Sequence, residues 1–202
     1  MRGVEQIPWL YDIACGICER GGIGRWRRLL TAGARGAVLD LGSGTGRNLP
    51  QLPRGVTAVA LDPSLDALRR ARRRAPGVPL VAGSAEALPF RTGTFHTVLS
   101  GFAFCSVGDP RAGLEEVRRV LRADGQLRML EHVRSTTAWR ARLQDVIQPL
   151  WTRIMGGCHP NRETERVVEA AGFLIDASER RAKGTARLFS ARARRGLPGR
   201  DP

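Results

Sequence analysis

Short apolar runs alternate with amphipathic stretches along most of the chain. Ala37-Val38-Leu39-Asp40-Leu41, Val56–Leu61, Val78–Ala82, Thr97-Val98-Leu99-Ser100 and Gln126–Val133 have the length and composition of strands. Between them the apolar positions recur at helical spacing. Leu65–Ala75 follows Asp62-Pro63-Ser64, where Ser64 is the expected N-cap. Asp109-Pro110 opens a second helix, with Leu114, Val117, Val120 and Leu121 on one face and its end near Ala123-Asp124-Gly125. A short helix is predicted from about Arg47, and longer ones over 137–155 and over 161–171, the last closed by Gly172. Residues 8–33 read as one or two helices broken at Gly21-Gly22. Strands over 173–181 and 185–192 meet at Lys183-Gly184 as an antiparallel hairpin. Strands alternating with helices predict an α/β domain with a mainly parallel sheet. It is expected to be one domain over 1–193, with 1–33 as a helical cap and 194–202 as a disordered tail.

The 202 residues have room for one sizeable core, and 42% hydrophobic content excludes low-complexity and disordered classes. No stretch approaches the ~18 apolar residues of a membrane span. Met1–Pro8 has no long apolar run behind Arg2, so no secretory signal is read there. Four cysteines are too few for a disulfide scaffold, and a reduced, cytoplasmic setting is expected. The net charge of +14 favours anionic partners such as nucleic acid, acidic lipid or a charged small molecule. However, Lys183 is the only lysine, and the arginines are spread along the chain instead of forming one block. Compositional bias accounts for that pattern as well as an anionic partner does.

The strongest chemical signal is Asp40-Leu41-Gly42-Ser43-Gly44-Thr45-Gly46, directly after a strand. Glycines there let the backbone turn sharply and approach a ligand, and the following helix N-terminus is expected to offer free N–H groups. Asp62 ends the next strand, where a carboxylate can accept from both hydroxyls of a ribose. A dinucleotide fingerprint needs G-x-G-x-x-G/A, but Arg47 stands third after Gly44; no Gly-Lys-Ser/Thr follows for a phosphate loop.

The G-x-G-x-G spacing behind Asp40 closely resembles the first motif of class I S-adenosylmethionine-dependent methyltransferases. Gly83-Ser84-Ala85-Glu86-Ala87-Leu88-Pro89-Phe90 resembles that family's third cofactor segment, and Arg119–Leu127 its helix–turn–strand segment. The resemblance implies a Rossmann-like, seven-stranded, mostly parallel sheet with an antiparallel C-terminal hairpin and helices on both faces. It also implies S-adenosylmethionine as cofactor and S-adenosylhomocysteine as product. Gly42, Ser43, Gly44 and Gly46 would pass beneath the methionine part, and Asp40 would orient that turn or meet the ammonium group. Asp62, with Pro63 beside it, would hold the ribose. Ser84, Ala85 and Glu86 would face the adenine, although the family usually has Asp at position 84. Ser100 and Phe102 would line the methyl-transfer cleft, and Tyr11 would close over the cofactor or serve only as a packing residue.

The acceptor is less determined. The Asn/Asp-Pro-Pro-aromatic motif of base-methylating enzymes is missing from Ser100–Val107, and 5% aromatic content gives no stacking platform, so nucleic acid is disfavoured. Cys105-Ser106-Val107, Glu131-His132-Val133-Arg134 and Gly156–Thr164 resemble a branch that includes bacterial phospholipid and quinone methyltransferase-like proteins and animal alkyl-thiol methyltransferases. This implies a small-molecule or lipid-like acceptor, with a lean to a thiol. A phospholipid amine or quinone headgroup is the alternative, with the arginines docking on anionic membrane. A nucleic-acid enzyme and a non-catalytic S-adenosylmethionine-binding regulator are the remaining readings. His132 is the candidate base, against a purely structural histidine. His159 is read as a loop-ordering residue and His96 as structural. Cys15 and Cys18 have metal-ligand spacing but no second pair, and Cys105 and Cys158 are read as buried, inert thiols.

Overall fold

The apolar run at 37–41 becomes β1 (Ala37–Leu41), and Val38, Leu39 and Leu41 are buried on both of its faces, as a central parallel strand requires. The computed structural model describes residues 22–155 and 157–194. The reading of residues 8–21, with Tyr11, Cys15 and Cys18, lies outside the described residues, as does the tail from 195 onward. β1 pairs in parallel with β2 (Thr57–Asp62) on one side and β4 (Phe95–Gly101) on the other. β3 (Leu80–Ala82) extends the sheet beyond β2, and β5 (Leu121–His132) extends it beyond β4. β8 (Ala186–Ala193) runs antiparallel to β5 and carries β6 (Phe173–Ile175) on its far side. The order is β3-β2-β1-β4-β5-β8-β6, with β7 (Arg181–Lys183) paired to β8 as an eighth strand.

Alternate side chains of each strand feed two cores. On one face Leu39, Leu41, Val98, Leu127 and Met129 pack with Leu114, Val117 and Val120 of α3 (Pro110–Val120) and with Phe104 and Phe173. On the other, Val38, Leu99, Leu130 and Leu188 meet Leu30 of α1 (Gly24–Ala32). α2 (Leu65–Arg74) starts where expected, with Ser64 Oγ accepting from the Ala67 amide at 3.2 Å. Asp109 caps α3, accepting from the Arg111 and Ala112 amides at 2.9 and 3.1 Å. α4 (Ala138–Ile154) and α5 (Thr164–Ala170) complete the described helices.

Three local readings change. The helix expected from Arg47 is a single 3-10 turn, Leu49–Gln51, with Pro50 inside it. The helix expected to run to Gly125 stops at Val120, and Leu121 already pairs with Phe95. The first arm of the C-terminal hairpin, read as continuous over 173–181, is interrupted. Asp176 Oδ1 accepts from the Ser178 amide at 2.9 Å and from its hydroxyl at 2.6 Å, which turns the chain between β6 and β7.

Candidate active site

The sheet order reverses direction at β1: the chain leaves it for β2 on one side and later returns as β4 on the other. Ligands of open α/β sheets bind beyond the strand ends at such a switch point. A cavity of about 860 Å³ lies there, lined among others by Gly42, Gly44, Asp62, Ser84, Ala85 and Phe102.

Its floor is the glycine turn. Gly42, Gly44 and Gly46 all have positive φ, at 64°, 55° and 77°. A Cβ at Gly42 would come within 2.3 Å of Ala103 Cβ, and one at Gly46 within 2.9 Å of Ala71 Cβ, so these two glycines serve packing as well as conformation. A Cβ at Gly44 would meet nothing within 4 Å, so that side of the turn is open space in the cavity lining. No α-helix follows to present its N-terminus. The Gly44 amide instead donates to Asp62 Oδ2 at 2.8 Å.

Asp62 sits at the end of β2 and lines the cavity with Pro63. Its other oxygen accepts from the Ser64 amide at 2.8 Å. Burial raises its pKa above the ordinary value, against these two amides. Asp40 lies behind the turn, fully buried and outside the cavity lining. Asn48 donates to its Oδ1 at 2.6 Å, and Arg27 donates to Asn48 Oδ1 at 2.7 Å. This relay was not visible in the sequence, because Arg27 and Asn48 belong to no motif. Asp40 Oδ2 and Ser43 Oγ are buried without a hydrogen-bond partner among the described residues. Burial raises the Asp40 pKa, against the Asn48 hydrogen bond, the neighbouring Ser43 hydroxyl and the charge of Arg27.

At the adenine-facing end predicted from sequence, Ser84, Ala85 and Glu86 line the cavity together with Pro63 and Leu65. Ser84 Oγ donates to Glu86 Oε2 and accepts from the Glu86 amide at 3.1 Å. Glu86 Oε1 in turn accepts from the amides of Gly108 and Asp109 at 3.0 and 3.2 Å, tying this segment to the start of α3.

Ser100 does not line the cavity. It is fully buried, and its hydroxyl donates to Glu131 Oε1 at 2.6 Å. Glu131 also accepts from the amides of Ala103, Phe104 and Cys105 at 3.2, 3.1 and 3.3 Å. One buried carboxylate thus shapes the turn that forms the opposite cavity wall, a role the sequence reading did not assign to it. Burial pushes its carboxyl pKa up, against those four donors. In that turn Phe102 has φ 60°, the one non-glycine residue in the left-handed region among the described residues. Such a conformation is costly for a bulky side chain and persists only where its surroundings enforce it.

Phe102 lines the cavity, and its ring packs against the His132 imidazole with centroids 4.5 Å apart. His132 ends β5, and it has company the spacing did not reveal. The ligand atoms of Cys105, His132 and Cys158 lie within 4.8 Å of one another. Cys105 and Cys158 are buried and form no disulfide. The two thiols are buried as expected, but they are not isolated, because the loop after α4 folds back on the turn after β4. The His159 amide donates to Cys105 O at 2.8 Å, and Arg162 donates to the carbonyls of Phe104 and Val107. Hydrogen bonding with Cys105, then with His132 and Trp151, lowers the Cys158 thiol pKa against the effect of burial. His159 Nδ1 meets Gly157 O at 2.8 Å, within its own loop. His96 Nδ1 accepts from the Ala37 amide at 3.1 Å, away from the cavity.

A family model described as a methyltransferase domain matches residues 39–129, from β1 into β5, the stretch that carries the glycine turn, Asp62 and Ser84–Glu86. The chain belongs to the methyltransferase-domain family. The chain is 37% identical over 133 residues to a demethylmenaquinone methyltransferase of Renibacterium salmoninarum, covering 63% of this chain and 56% of the relative. Over 160 residues it is 34% identical to a thiol S-methyltransferase of Homo sapiens, TMT1B, covering 75% of this chain and 66% of the relative. The chain therefore spans between about half and two thirds of the length of these curated relatives. The fold is shared with an S-adenosylmethionine-dependent methyltransferase of Mesorhizobium loti, with a TM-score of 0.62 at 18% identity, covering 82% of this chain and 95% of that one.

Proposed function

We propose that the protein transfers the methyl group of S-adenosylmethionine to a small-molecule thiol. The observation that carries the cofactor half is the cavity floored by Gly42–Gly46 and rimmed by Asp62. The residues present fit the cofactor: Gly44 leaves open space where any side chain would intrude, and Asp62 presents a carboxylate at the cavity rim. Asp62 would hold the ribose hydroxyls and Ala85 and its neighbours the adenine, while Asp40 would orient the glycine turn from behind. When bound, the cofactor supplies an electrophilic methyl on a sulfonium. The protein's part is to hold the acceptor in line and dry, and positioning of that kind is worth ~7–11 kcal/mol. Phe102 forms the acceptor wall, and we assign activation of the acceptor to His132 behind it.

The thiol lean is supported by the likeness to the human thiol S-methyltransferase and by the sulfur-rich surroundings of His132. A second reading, a quinone or lipid headgroup, is favoured by the likeness to demethylmenaquinone methyltransferase and by α4. On that helix Trp139, Leu143, Val146 and Leu150 are exposed, with Arg140 and Arg142 among them, as on a surface that lies against anionic membrane. Among the described residues no helix is long and apolar enough to cross a membrane.

Release of S-adenosylhomocysteine, measured with an alkyl thiol, a quinol in anionic vesicles, aminophospholipid vesicles and bulk tRNA as separate acceptors, separates these readings. Turnover with the thiol in the absence of vesicles is the expected result. Turnover only with the vesicle-borne quinol would replace it with the second reading.

A further inference from the structure

Cys105, His132 and Cys158 come from three separate parts of the chain: the turn after β4, the end of β5 and the loop after α4. Two sulfurs and one imidazole nitrogen converge within 4.8 Å of one another. A tetrahedral zinc ion, with bonds of ~2.3 Å to sulfur and ~2.0 Å to nitrogen, holds such atoms roughly 3.5–3.8 Å apart. Closing this trio on an ion therefore needs side-chain movement of about an ångström.

The backbone that carries the trio is already fixed. Glu131 takes the Cys105 amide, the His159 amide donates to Cys105 O, and Thr152 Oγ1 donates to Cys158 O at 2.9 Å. The Arg162 guanidinium lies near both thiols, where it offsets the charge of a dithiolate. Thiolate and imidazole ligands suit zinc over the hard, oxygen-seeking cations. Three protein ligands, not four, are also the pattern of zinc sites that keep one position open.

We propose that Cys105, His132 and Cys158 bind a zinc ion whose fourth position takes the sulfur of the methyl acceptor. Both cysteines are buried and His132 is only half-buried, so the imidazole side, next to Phe102 and the cavity, is where an acceptor enters. A thiol bound there gives up its proton to solvent. Its lone pair then forms the new sulfur–carbon bond as the sulfonium–methyl bond breaks, yielding a methyl thioether and S-adenosylhomocysteine. This role rests on the thiol reading above and defines what His132 does in it: the imidazole holds the ion, and the ion makes the acceptor a thiolate.

The test strips the reduced protein with a chelator and titrates it with zinc against a chromogenic competitor. One equivalent should bind per chain, and cobalt in its place should give thiolate-to-metal charge-transfer absorption with tetrahedral visible bands. Cys105→Ser, Cys158→Ser and His132→Gln should each weaken zinc binding by more than the roughly 10–100-fold that loss of an outer-shell partner costs. Their affinity for S-adenosylmethionine should stay near that of the wild type, which certifies the fold. Substoichiometric zinc in the unmodified protein, or zinc binding indifferent to all three substitutions, would overturn the site. Zinc bound by the trio without thiol turnover keeps the site and removes the thiol reading. Thiol turnover unchanged after zinc removal does the reverse, leaving the reading and overturning the proposal.

Discussion

Asp40 shows how a single side chain is held for something other than stability. Its Oδ1 is satisfied by Asn48, while Oδ2 is buried without a partner, and burial holds its pKa above the ordinary 3.8. A carboxyl whose folded pKa is raised contributes stability that is fully present below its unfolded pKa and lost as pH rises through the folded value. Asparagine at the same position keeps the acceptor for Asn48, does not titrate, and brings an amide donor toward the Ser43 hydroxyl. Asp40→Asn is therefore expected to be about 1 kcal/mol more stable than the wild type at pH 8, with the difference shrinking toward pH 4. Urea unfolding at the two pH values measures this. Because Asp40 lies behind the turn and outside the cavity lining, the same variant acts on the cofactor only through the turn, and it should weaken S-adenosylmethionine binding less than Asp62→Ala does. Stability that falls further behind the wild type as pH rises would contradict the account. The motif that contains Asp40 was legible because its residues are adjacent in sequence. Arg27 and Asn48, which position it, were not, since neither carries a spacing signal and the three meet only after α1 packs beneath the sheet.

The turn between β4 and the following loop is the element on which the acceptor side depends. Phe102 sits in the left-handed region at a cost of order 1–3 kcal/mol, and the Glu131 carboxylate offsets it by taking three successive amides and the Ser100 hydroxyl. Glutamine keeps the volume but turns one of the two accepting oxygens into a donor facing the Cys105 amide. Glu131→Gln is predicted to lose about 1–3 kcal/mol of stability in denaturant unfolding, and to lower kcat with little change in the affinity for S-adenosylmethionine. An unfolding midpoint equal to that of the wild type would remove Glu131 from this role. At this scale the strands and capped helices were readable because periodicity, Ser64 and Asp109 are local signals. The interrupted hairpin arm was not, since the turn at Asp176–Ser178 lies inside a sequence that reads as extended. Nor was the trio of Cys105, His132 and Cys158: their distance in sequence conceals a contact made by the loop after α4 folding back.

For the whole molecule, the sheet reversal at β1 brings the glycine turn, Asp62, Ser84–Glu86 and the Phe102 turn around one cavity; the mostly parallel sheet with its antiparallel C-terminal hairpin is what the resemblance to class I methyltransferases implied, with β7 added as an eighth strand. The exposed side of α4 is the other large-scale feature. Val146 is 78% exposed and Leu150 63%, far more than folding needs. Val146→Glu with Leu150→Glu should abolish co-sedimentation with anionic vesicles while leaving turnover of a soluble thiol intact; vesicle binding unchanged by both would show that this face does not meet lipid. The central claim is methyl transfer to sulfur in the cavity over Gly42–Gly46, and following an isotope-labelled methyl group from S-adenosylmethionine to an alkyl thiol by mass spectrometry tests it most directly. The account predicts labelled methyl thioether from the wild type, and from Asp62→Ala only at cofactor concentrations raised by about 10–100-fold. Labelled product formed equally well at low cofactor by Asp62→Ala, or no labelled thioether from the folded, cofactor-binding wild type, would contradict it.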